Sequence, residues 1–158
     1  MTVVMSETNS ATAEIRQVFH RHIPEIAAGA VEIVSVARDV GRRSYVAVRA
    51  HVPGVDPVGA CTGERGARLK AMVADLGLEH LTLVRWENST ERFIRNALAG
   101  LNLSTVALNS TTREASVTVE SAKMVPEQIE PGHPEDSDLL LASELTGWKI
   151  SLHGQQGP

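Results

Sequence analysis

Two glycines three residues apart, Gly63 and Gly66, enclose Glu64 and Arg65. Glycine lacks a Cβ, so its backbone takes angles closed to other residues and can come close to a ligand. Where a helix begins just behind such a loop, its first amides point outward and the helix dipole favours a negative group in front of them. The chemistry on offer is the gripping of phosphate by the main chain. Arg65 lies inside the loop, and Arg68 and Lys70 follow it. Each could add a charge-assisted contact to a phosphate oxygen. The four-letter pattern is short, however, and a plain break between two helices with a solvated Arg65 would spell the same residues.

Other chemistries find less support. The six histidines do not fall at ligand spacings. His20 and His22 are two apart, not the four that place two ligands on one helical face. His51, His80, His133 and His153 have no Cys or carboxylate at a recognised spacing, so no metal site is expected. The single cysteine, Cys61, allows neither an internal disulfide nor a cysteine zinc site, and reads as a small buried thiol. Neither a P-loop nor a Gly-x-Ser-x-Gly elbow occurs. No catalytic residue, cofactor or enzymatic activity is expected. Trp86 and Trp148 are expected in cores. Arg38, Arg42, Arg43 and Arg49 gather around one hairpin, where they extend a phosphate path or are simply solvated.

The elements that must position the loop follow from periodicity. Ile15, Val18, Phe19, Ile23 and Ile26 keep helical spacing, with an end or kink at Pro24. Residues 31–37 and 45–52 read as strands joined by a turn at Asp39-Val40-Gly41. Asp56-Pro57 opens a helix, proline being suited to a first helical position. Gly63 to Gly66 interrupts it. Leu69, Met72, Val73 and Leu76 resume the pattern up to a stop at Gly77, and residues 81–86 form a strand.

The order then begins again. Asn88, with Glu91 three residues on, is expected to cap a helix carrying Phe93, Ile94, Ala97 and Leu98, closed by Gly100. Strands follow over 103–108 and 115–120, then a helix over 139–145, a stop at Gly147 and a strand over 148–152. The stops at Gly77 and Gly147 mark a repeat of 70 residues. Each copy is marginal for folding alone, so the two are expected to pack as one rigid piece. Seventy residues beyond the glycine loop stand His133, Pro134, Glu135 and Asp136. Both glycines are gone there, Pro134 offers no amide hydrogen, and two carboxylates would repel phosphate.

The totals constrain the class. The net charge of −4 is unusual for a nucleic-acid binder. Its distribution is uneven: residues 1–100 carry 12 Lys/Arg against 11 Asp/Glu, and residues 101–158 carry 3 against 8. Aromatic residues make up 3%, which argues against a stacking platform of the RRM type. No stretch nears the ~18–20 apolar residues of a membrane span. Residues 1–13 show no signal-peptide pattern. They and residues 154–158 read as loose tails, and the chain as cytoplasmic.

Residues 56–68, Asp-Pro-Val-Gly-Ala-Cys-Thr-Gly-Glu-Arg-Gly-Ala-Arg, resemble the first KH domain of the NusA family of bacterial transcription elongation and termination factors. The flanks agree: Ile23-Pro24-Glu25-Ile26, Ala37-Arg38-Asp39 with Gly41, and Val84-Arg85-Trp86. Residues 141–148, Leu-Ala-Ser-Glu-Leu-Thr-Gly-Trp, resemble the family's second KH domain. The resemblance implies an α+β fold of two tandem type II KH domains, packed together. The first, over 14–87, keeps its glycine loop; the second, over 88–153, is degenerate. It further implies single-stranded RNA binding without a cofactor, at Gly63, Glu64, Arg65, Gly66, Ala67, Arg68 and Lys70. The expected role is modulation of transcription elongation, termination or antitermination, with RNA polymerase or ribosome-associated machinery as partner and no membrane. The rival expectation is a protein-interaction module on a KH scaffold. Family members carry a polymerase-binding domain and an OB-fold ahead of the KH pair; these 158 residues contain neither, so a short NusA-like protein is expected.

Overall fold

The structure is a computed structural model describing residues 2–39, 43–77, 80–99, 103–119 and 134–154. The chain forms two units, Met1–Trp86 and Glu87–Pro158.

The first unit opens with helix α1 (Thr2–His22), followed at once by α2 (Pro24–Ala27). The expected break falls at Ile23, whose backbone is extended, and Pro24 takes the first position of α2. The expectation of a loose tail over 1–13 is corrected: helix begins at Thr2. No glycine or proline precedes Pro24, so a helix docked through Ile15, Val18 and Phe19 can propagate toward the N-terminus at little cost.

Strands β1 (Val31–Asp39) and β2 (Arg43–Ala50) pair antiparallel, with a bulge between Ile33 and Ser35. The turn expected at Asp39-Val40-Gly41 lies mostly outside the described residues. The chain next runs through α3 (Pro57–Thr62), a 3-10 turn (Glu64–Gly66) and α4 (Ala67–Leu76) to β3 (His80–Arg85), parallel to β2. Parallel neighbours need a crossover long enough to return the chain to the same end. Here that crossover contains the glycine loop. Val31, Ile33, Val46, Val48 and Leu81 of the sheet share one core with Ile15, Val18 and Phe19 of α1 and Met72 and Leu76 of α4. Burying such side chains stabilises by about 1.5–3 kcal/mol each, and it fixes both ends of the crossover.

The second unit contains α5 (Thr90–Ala97), β4 (Leu103–Asn109), β5 (Glu114–Val119), α6 (Pro134–Thr146) and β6 (Lys149–Gly154). Its sheet repeats the first: order β4-β5-β6, antiparallel and then parallel. The bulge recurs between Leu103 and Thr105, each seventy residues after its counterpart. Both expected helix stops, Gly77 and Gly147, adopt positive φ.

Three expectations change in this unit. The cap of α5 is Ser89, not Asn88, and its hydroxyl accepts the Arg92 amide at 3.3 Å. Strand β6 includes Gly154, which the sequence places in the tail. Pro134, Glu135 and Asp136 do not form a loop: they are the first three residues of α6. Proline at a first helical position and acids in a first turn both favour helix there. His133, Gly100 and the rest of residues 120–133 lie outside the described residues.

Candidate nucleic-acid interface

Helix α3 is entered through extended Asp56, with Pro57 at its first position. The Asp56 carboxyl lies over Gly59, where a Cβ would stand 2.7 Å from Oδ2. The helix ends when the Gly63 amide donates to the Gly59 carbonyl at 3.0 Å. Gly63 then takes φ 76 and ψ 175, a conformation essentially reserved for glycine. Arg65 is left-handed at φ 57 and ψ 25, and so is Gly66 at φ 76 and ψ 15. The Gly66 amide donates to the Gly63 carbonyl at 3.1 Å, and the Ala67 amide to the Glu64 carbonyl. Gly66 caps the N-terminus of α4, so the loop stands where a helix presents its first amides.

The residues singled out from the sequence divide into two sets. Glu64, Arg65, Ala67 and Lys70 are exposed around the loop and the first turn of α4. Arg68 turns inward. Its guanidinium donates to Glu25 Oε1 and to the Ala60 carbonyl, both at 2.8 Å. Its stem crosses Gly63 so closely that a Cβ there would stand 2.7 Å from Arg68 Cγ and 2.9 Å from the Arg68 backbone nitrogen. Gly63 is thus required twice, by its backbone angles and by Arg68. Gly66 has nothing within 4 Å of the same position and is required by conformation alone.

The surrounding charges are arranged about this contact. The Glu25 carboxyl lies below the ordinary carboxylate range, first through a hydrogen bond from its own backbone amide. Burial opposes that shift, and the Arg68 guanidinium adds to it. Cys61, next to Ala60, is buried, and its thiol is pushed up to about 12, chiefly by burial. A thiol of that kind is inert at neutral pH.

Two of the hairpin arginines, Arg38 and Arg49, are engaged with carboxylates. Arg38 is nearly buried and donates to Glu14 at 2.7 Å. Arg49 donates to Glu32 at 2.9 Å and lies 4.9 Å over the Trp86 ring. Arg42 lies outside the described residues. Trp86 is half-buried under that guanidinium, which corrects the expected core position, whereas Trp148 is buried as expected. His51 also reaches Glu32, at 2.7 Å, and His22 reaches Asp75 at 2.5 Å. Among the described residues no group of three His, Cys, Asp or Glu could hold a metal ion, and no helix is long and apolar enough to cross a membrane.

Sequence reasoning missed Glu25 as part of the loop, because it lies 43 positions from Arg68. Its only signal was its place in the Ile-Pro-Glu-Ile run.

The family model for a NusA-like first KH domain matches residues 9–86. The transcription termination/antitermination protein NusA of Thermus thermophilus is 38% identical over 136 residues, 86% of this chain and 34% of its own. Its counterpart in Mycobacterium tuberculosis is 36% identical over 145 residues, and that of Bacillus subtilis 35% over 141. These alignments cover 91% and 89% of this chain, and 41% and 37% of the relatives. The chain thus spans about a third to two fifths of these relatives' lengths. The solved structure described as the crystal structure of APE1850 is similar in fold, with a TM-score of 0.62 at 19% identity, covering 89% of this chain and 95% of that one.

Proposed function

Because the chain is a NusA-like KH protein, we propose that it binds single-stranded RNA through the Gly63–Gly66 loop and acts in transcription termination or antitermination. The observation that carries this reading is the backbone of the loop. Gly63 and Gly66 hold angles that let the chain approach a ligand, directly ahead of the first amides of α4. Loops of this kind clamp about four nucleotides by their backbone. Arg65 and Lys70, exposed beside the loop, supply positive charge. RNA polymerase or ribosome-associated machinery is the partner class that accompanies this reading. The cell compartment that accompanies it is the cytoplasm.

The test is the double variant Glu64→Asp/Arg65→Asp, titrated with single-stranded RNA beside the wild type. Both positions are exposed, and Asp tolerates the left-handed conformation at 65, so the fold should persist. RNA affinity should fall by about 1–3 kcal/mol from the lost charge-assisted bond and the added repulsion. Unchanged affinity in a folded variant removes the loop as the RNA site. It would leave the acidic second half, with 3 Lys/Arg against 8 Asp/Glu, as the basis for a protein-interaction module instead.

A further inference from the structure

We propose that Arg68 is not a phosphate ligand but the positioning residue of the loop, held in that role by Glu25. This rests on the RNA-binding reading of the same loop. Three observations carry it. The guanidinium is already bonded to a carboxylate and to a main-chain carbonyl, at 2.8 Å each. The Ala60 carbonyl lies in the last turn of α3, where carbonyls lack intrahelical partners. Arg68 therefore caps α3 from α4, with its positive charge at the favourable end of the helix. The stem also closes over Gly63, with no room for a Cβ between them. One side chain thereby ties together α2, α3, α4 and the glycine that turns the chain. Glu25 completes the tie, because it sits in the first turn of α2, outside the crossover, and anchors the guanidinium to the rest of the unit.

The opposite assignment makes opposite predictions. An arginine that contacts phosphate and is restrained by a carboxylate should bind RNA better once that carboxylate is neutralised. A positioning arginine should then lose its anchor and bind RNA worse.

The experiment compares wild type, Glu25→Gln and Arg68→Met as full chains. The methionine keeps an apolar stem over Gly63 and removes the charge. Two quantities are measured: amide hydrogen exchange over residues 63–67 without RNA, and the dissociation constant for a short single-stranded RNA at several salt concentrations. In both variants exchange in the loop should quicken, and affinity should weaken by about tenfold, the order of one lost charge-assisted hydrogen bond. The slope of log affinity against log salt should match the wild type, because no phosphate contact is lost. Tighter binding by Glu25→Gln, or a slope shallower by about 0.7 in Arg68→Met, would make Arg68 a phosphate ligand and overturn the proposal. Unchanged loop exchange would overturn it as well. If the wild type binds no RNA, the RNA reading falls, and the exchange measurement alone decides the role of Arg68. Should Arg68→Met fail to fold, Glu25→Gln decides through both measurements.

Discussion

Gly63 and Gly66 look equivalent in the four-letter motif, yet the structure gives them different requirements. At Gly66 an added Cβ meets open space, so Gly66→Ala should cost only the left-handed backbone penalty, about 1–2 kcal/mol. At Gly63 the backbone angles are glycine-only and the Cβ would strike Arg68, including its main chain. Gly63→Ala should therefore cost more than Gly66→Ala, exceeding the ~1–3 kcal/mol of backbone strain alone. Denaturant melts of the two variants make the comparison, and equal losses would contradict it.

Helix ends and ion pairs govern at the scale of elements. Helix α5 is eight residues long and depends on its ends. The Ser89 hydroxyl satisfies one of its free amides, so Ser89→Ala should destabilise the second unit by about 1 kcal/mol. Asn88→Ala should have little effect, and the reverse ranking would restore Asn88 as the cap. In the first unit, α1 meets α4 through His22 and Asp75, and β1 meets the end of β2 through Glu32, Arg49 and His51. Asp75 lies below the ordinary carboxylate range, first through the hydrogen bond from His22. Glu32 does so first through His51 and then through Arg49. A carboxylate depressed in the folded state contributes stability that is present above its unfolded value and lost as pH falls through its folded value. Thermal melts should therefore show the first unit losing stability below about pH 4, with a smaller loss in Asp75→Asn. An identical acid profile in that variant would exclude the His22 pair as a contributor.

The whole molecule carries its charge unevenly, and the two units differ at the corresponding place. Where the first has a glycine loop ahead of α4, the second has Pro134, Glu135 and Asp136 inside the first turn of α6. RNA binding should then involve one clamp of about four nucleotides, giving a salt slope no steeper than about −3 at 0.7 per phosphate. Lengthening the RNA beyond the clamp should add little affinity. A much steeper slope that grows with RNA length would bring the second unit into direct contact.

The residue pattern alone carried the strands, the main helices, their order and the repeat. Each of these is written locally, in helical and alternating spacing, in Pro57 opening α3, and in glycines at Gly77 and Gly147 that suit left-handed stops. It also placed the loop, because few residues other than glycine hold those angles. It did not show that Asp136 continues a helix, since the 70-residue register locates a position and not its conformation. Nor did it show which arginines are exposed. Arg65 and Arg68 are three residues apart and alike in type. Only the fold brings Glu25 to one of them, across 43 positions of chain, and leaves the other exposed. The physical reason is that charge pairing and close approach are set by distances in space, which here are fixed by the core joining α1 and α4 to one sheet.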